Sequence, residues 1–178
     1  MSEIGARDAG STEQAFIARS RAYLSGEYLP KIRASVERMS AEDLWWRPND
    51  ASNSVGNLVL HLAGNIRQWI AHGVGRQPDM RDRPAEFYAE GGIEADSLLA
   101  LLEDALGVCD DVLAGLDPAS LHERRTIQGL DVSVLEAVYH AVEHFAGHTY
   151  QIMYVAKART GRDLGFWKVE GGKATPAW

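Results

Sequence analysis

His140, His144 and His148 recur at every fourth position of VYHAVEHFAGHTYQIMYVAK, so half of the six histidines in this 178-residue chain share one helical stripe. Three imidazoles in register on a largely apolar segment point to a shared task. Metal binding is the obvious one, because neutral imidazole is the commonest side-chain ligand of Zn, Ni and Fe(II). Helical rise limits the set: neighbours at i and i+4 stand about 6 Å apart along the axis, whereas His140 and His148 are separated by roughly 12 Å. One adjacent pair must therefore combine with a ligand from elsewhere. His61 is the natural candidate, midway along a second apolar segment, with Asn57 and Asn65 one turn to either side and Gln68 extending the polar stripe. Spacing alone does not choose between the two pairs.

His140-Ala-Val-Glu-His144 also spells HxxEH, the inverted zinc-peptidase pattern in which the glutamate activates water. Five residues match easily by chance, and that reading leaves His148 and His61 unused. Glu143 is read instead as a polar neighbour of the site. Arg67, Arg83 and the nearby Arg76 and Arg81 lie at or just beyond the end of the second segment. Arg67 and Arg83 are candidates for receiving the carboxylate of a small anionic substrate. Cys109 is the single cysteine, so no internal disulfide can form, and without a local histidine it reads as structural.

Four amphipathic segments must position these groups, and an all-α antiparallel four-helix bundle is the simplest arrangement. The first runs from about Thr12 to Arg38, bent or divided at Pro30. Ser40 and Asp43 read as a cap and its partner on a short helical turn. The second segment follows the PNDASNS cluster and reaches about His72, where Gly73, Gly75 and Pro78 end it. A polar connection with RDRPAEF follows, long for an idle loop. The third helix spans about Asp96 to Leu116, with Asp96 as its cap, and a brief strand or hairpin is expected near Gly129. Ser133 and Glu136 form the capping box of the last helix, which Gly161 stops after Thr160. A single domain over residues 1–178 is expected, with an irregular tail at 161–178.

A net charge of -7 and the absence of any long Lys/Arg block speak against nucleic-acid binding. No 18-residue apolar run exists, which speaks against a membrane span, and MSEIGARDAG lacks the features of a secretory signal. The expected setting is cytoplasmic.

SNSVGNLVLHLAGNIRQWIAHGVGR together with VYHAVEHFAGHTYQIMYVAK resembles the DinB/YfiT-like superfamily, and especially its DUF1572-type branch. SRAYLSGEYLPKIRASVERMSAEDLWWRPND and RDRPAEF extend the resemblance over nearly the whole chain. It implies a four-helix bundle, usually dimeric, that holds a divalent metal by three histidines. Carried over by position, the ligands are His61, His144 and His148, with Zn or Ni expected and Fe or Mn as further candidates. His140 then becomes a neighbour of the site, in company with Asn57, Asn65, Glu143 and Gln151. Gln151 stands at the glutamine of the family's HxGQ ending, and Tyr150 replaces the glycine there. Related bundles transfer low-molecular-weight thiols such as bacillithiol or mycothiol, or isomerise maleylpyruvate in a thiol-dependent way. The resemblance thus implies a metal-dependent enzyme acting on a small electrophile, with a thiol cosubstrate. Hydrolysis and a non-catalytic metal-stabilised binding bundle are the alternatives.

Overall fold

The computed structural model describes residues 10–177, and the reading of the N-terminal nine residues lies outside them. The first rod comprises α1 (Thr12–Tyr23), a π-helical stretch (Leu24–Tyr28) and α2 (Leu29–Val36). Pro30 neither breaks nor divides this rod. It sits two residues after the wider π turns, which accommodate its missing N–H. The short α3 (Ala41–Trp45) starts where expected, the Ser40 hydroxyl accepting from the Asp43 amide.

The second rod is α4 (Val55–Ile66), opened by a reciprocal Ser54/Asn57 capping box and continued by a π-helical stretch from Arg67 to Val74. The third is α6 (Ala95–Ala114), and the connection before it contains a helix of its own, α5 (Arg83–Tyr88). The cap of α6 differs from expectation: Glu94, not Asp96, is the N-cap, and its side chain makes no capping bond. A 3-10 turn (Pro118–His122) leads into the antiparallel hairpin β1 (Arg124–Ile127) and β2 (Leu130–Ser133). The last rod is α7 (Val134–Thr160), with Ser133 and Glu136 in a full capping box and Gly161 in the left-handed region as its C-cap.

Side-chain contacts fix the rod directions. His61 meets His144 while Trp69 meets His140, so the second and last rods are antiparallel. Arg21 pairs with Asp110 and Arg33 with Glu103, so the first and third are antiparallel as well. The second and third run the same way, because the Cys109 thiol reaches the Ile66 carbonyl and Val112 packs near Gly75 further along both. First and last are likewise parallel, with Lys31 beside Tyr150 and Asp43 paired to Arg159. The all-α four-helix bundle is as expected, but it is not antiparallel throughout: two neighbour pairs are antiparallel and two are parallel. Parallel neighbours cannot be joined by a tight turn, which is why the long connection bearing α5 exists.

The core is continuous across all four rods: Ile32, Leu62, Ile66, Leu102, Phe145 and Ile152 are fully buried. No helix among the described residues is long and apolar enough to cross a membrane. The tail is not irregular throughout. β3 (Trp167–Glu170) and β4 (Lys173–Pro176) form a second hairpin, whose Gly171 and Gly172 both take positive φ, as a two-residue primed turn demands.

Candidate metal centre

His61 projects from the middle of α4 toward α7, where it meets two histidines one turn apart. One ring nitrogen each of His61, His144 and His148 lies within 4.8 Å of the others, and the Nε2 atoms of His61 and His144 are 2.9 Å apart. Three nitrogens about 2.0–2.1 Å from a tetrahedral ion would be spaced about 3.3 Å from one another, a spacing these side chains bracket. The donor set also suits such an ion chemically. Burial, reinforced by the neighbouring histidines and Arg81, pushes the His144 pKa down to about 3, and burial lowers that of His148 too. Both are therefore neutral bases at physiological pH, as metal ligands must be.

Two of the three remaining ring nitrogens are held. His148 Nδ1 lies 2.6 Å from Gln151 Oε1, and His61 Nδ1 lies 2.9 Å from Glu86 Oε2. Arg81 Nη2, which only donates, is 3.1 Å from the same Nδ1, but the shorter contact is to the carboxylate, which only accepts. That contact favours the proton on Nδ1, the tautomer that leaves Nε2 for an ion. Burial alone would raise the Glu86 pKa, but hydrogen bonds from Arg81 and His61 outweigh it and keep the group ionised. Arg81 grips that carboxylate with two prongs, Nε to Oε1 at 2.7 Å and Nη2 to Oε2 at 2.8 Å. Its third nitrogen, Nη1, donates to Gln68 Oε1 at 2.9 Å. Only 3% of the Arg81 side chain and 8% of that of Glu86 are exposed, so this is a buried ion pair that holds a candidate ligand.

Local sequence explains how α5 delivers Glu86. The Asp82 carboxylate caps the Ala85 amide and Pro84 stands in the first turn, starting a helix inside the long connection. Asn57 fixes the other end, its Nδ2 donating to the carbonyls of Glu86 and Ala89. Gly64 lets the carboxylate lie against α4, since a Cβ there would collide with Glu86 Oε1. Gly64→Ala is expected to displace Glu86 and to lower stability by about 1–3 kcal/mol, measured by urea denaturation of the metal-free protein.

The other expected residues are distributed around this centre. His140 stands beside the cluster, its ring centroid 4.0 Å from that of Trp69 and 5.3 Å from that of His144. Glu143 is exposed and 3.6 Å from His140 Nδ1, outside the histidine cluster, so the HxxEH arrangement is not assembled. Asn65 is buried, and its Oδ1 finds no partner among the described residues. Arg67 turns the other way and pairs with Asp104 on α6. Arg83 lies over the Phe87 ring at 5.0 Å, and that ring is 4.9 Å from His61, so Arg83 stands at the rim. Cys109 is buried in the core, and burial pushes its thiol pKa up to about 12. Glu86 was not anticipated, and Arg81 only as one of several loop arginines.

The family model described as "Protein of unknown function (DUF1572)" matches residues 12–172, nearly the whole chain and all three histidines. The chain belongs to the DUF1572 family. A solved structure similar to this DUF1572 protein is that of a DinB-like protein from Bacillus cereus ATCC 10987, with a TM-score of 0.64 and 13% sequence identity. The match covers 83% of this chain and 93% of that one, which establishes the DinB-like fold. Among curated proteins, none matches this DUF1572 protein.

Histidines with depressed pKa values make the metal-free DUF1572 protein sensitive to acid in a defined window. An unfolded histidine titrates near 6.5, above the folded value of about 3 for His144, so the folded state binds fewer protons between them. The stability this group contributes is complete above about pH 6.5 and is lost as pH falls toward about 3. The urea midpoint of the metal-free protein is expected to fall between pH 6.5 and 5, before the carboxylates titrate, and His144→Ala is expected to flatten that fall.

Proposed function

We propose that this protein is a divalent-metal-dependent enzyme that acts on a small electrophilic substrate with a low-molecular-weight thiol as cosubstrate. The observation that supports this most is the convergence of His61, His144 and His148 with their ring nitrogens within 4.8 Å of one another. Three protein nitrogens leave at least one coordination position open, the pattern of reactive rather than structural sites. An imidazole set suits Zn or Ni, with Fe and Mn as further candidates. When bound, such an ion would supply Lewis acidity that lowers the pKa of a thiol, or of water.

The chain's own groups do the holding and orienting. Glu86 and Gln151 keep His61 and His148 turned toward the centre. Phe87 shields one side of the His61 ring, and Arg83 offers a guanidinium at the rim to a substrate carboxylate. Cys109 is too buried to act as the nucleophile, so the thiol arrives with the cosubstrate. Hydrolysis is the second reading, favoured by the half-buried state of His144 and His148, which leaves the centre open to water.

We infer a cytoplasmic homodimer that does not bind nucleic acid. Tyr139, Tyr150 and Tyr154 are exposed along one outer face of α7, which supports the dimer. The deciding test incubates zinc- or nickel-loaded protein with monobromobimane and a panel of thiols, including bacillithiol and mycothiol. Thiol-selective turnover that is lost on chelation and in His144→Ala is expected. Ester or amide cleavage without thiol would favour hydrolysis. No turnover, with metal only raising the melting temperature, would favour a non-catalytic binding bundle.

A further inference from the structure

The face of α4 next to the histidine stripe borders a second feature. Leu60, Ala63, Gly64, Arg67 and Ala71 line a cleft of about 590 Å³, closed on its other sides by α6 and the connection bearing α5. That volume falls within the range of small-molecule sites. None of His61, His144 and His148 lines it, so it is a space separate from the metal centre. Its two apolar rims are uncovered: Leu101 of α6 is 45% exposed and Met80 of the connection 88%.

The chemistry of the wall selects the ligand. Ile93, Leu101, Val108 and Met80 supply apolar surface. Both arginines of the wall are already engaged, Arg67 with Asp104 and Arg81 with Glu86 and Gln68. Asp79, Asp82 and Glu86 also line the space, which disfavours an anion further. The carboxylates are engaged as well, Asp79 by Gln68, Asp82 by the Ala85 amide and Glu86 by Arg81, which disfavours a cation and leaves an uncharged, mostly apolar molecule.

Arg81 and Glu86 form part of this wall while Glu86 holds His61 Nδ1. The pair is already nearly dry, so a molecule in the cleft would act by packing on α5 through Ala85 and holding Glu86 in place against His61. We propose that the cleft between α4, α5 and α6 binds an uncharged apolar small molecule, and that its occupancy tightens metal binding at the histidines through Arg81 and Glu86. The coupling rests on the metal reading above, whereas the binding site does not.

The neutral dye 1-aminoanthracene serves as the probe. Its fluorescence is expected to saturate on the metal-free protein at one dye per chain. Ala85→Trp, which fills the cleft, and Leu101→Glu, which charges its mouth, are each expected to weaken it at least about tenfold. Thermal melts check that both variants remain folded. No saturable binding to the wild type, or unchanged binding in both folded variants, would overturn the site. Zinc affinity is then measured by competition with a chelating indicator, with and without saturating dye. At least about fivefold tighter binding with dye, absent in Glu86→Gln, is expected. Unchanged zinc affinity would overturn the coupling and leave the site standing. No zinc binding under either condition would overturn the metal reading and the coupling with it, while the fluorescence titration would still decide the cleft.

Discussion

His144→Ala is expected to empty the metal centre. Reconstituted wild-type protein should carry about one divalent ion per chain by elemental analysis, since one cluster of three histidines is assembled among the described residues. Loss of an outer partner of a ligand typically costs 10–100-fold in metal affinity, so loss of the ligand itself is expected to exceed about 100-fold. His148→Ala should do the same, and His140→Ala should retain the ion, because His140 packs on Trp69 outside the cluster. Retention of the ion in His144→Ala, or its loss in His140→Ala, would mean that the wrong pair has been assigned. Urea denaturation of the metal-free variants separates loss of the ion from loss of the fold, since truncating His144 also removes its contacts with His61 and His148.

Glu86→Ala is expected to damage both fold and site. It strands the Arg81 guanidinium, 3% exposed, without its carboxylate, and breaking a buried ion pair from one side costs about 3–5 kcal/mol. It also removes the acceptor from His61 Nδ1, which is expected to weaken metal binding about 10–100-fold. A double variant separates the two effects. Arg81→Leu combined with Glu86→Leu removes both charges, so stability should recover much of the loss, measured by urea denaturation. Metal affinity should not recover, because His61 still lacks its partner. Recovery of both would reduce Glu86 to a purely structural residue.

The rods and the histidine stripe were legible because they obey helical periodicity. Ser133, Glu136 and Gly161 marked the last helix to the residue, since caps are local chemistry. Glu86 was hidden for the opposite reason. It reaches His61 from a connection without apolar period, and nothing local says that α4 and α6 run parallel. One signal was nonetheless present: Asp82 followed by Pro84 is a helix start, and it places α5 inside that connection. The second hairpin was equally readable from Gly171-Gly172 between short alternating segments, where Gly- and Pro-rich composition suggested irregularity instead. Arg67 illustrates the limit of position along a chain: it lies six residues beyond His61, yet it turns to α6.

The parallel course of α4 and α6 has a consequence for how the molecule reaches its final state. His61 and His144 are 83 residues apart in the chain, and Glu86 reaches His61 only after the intervening connection has crossed back over the bundle. These are non-local contacts, and loop closure makes such contacts late and entropically costly. The local helices can form early, but an ion finds its three nitrogens only when the last rod has docked. Capture of an ion would thus report the completion of folding, and a bound ion would act as a latch that slows the first step of unfolding.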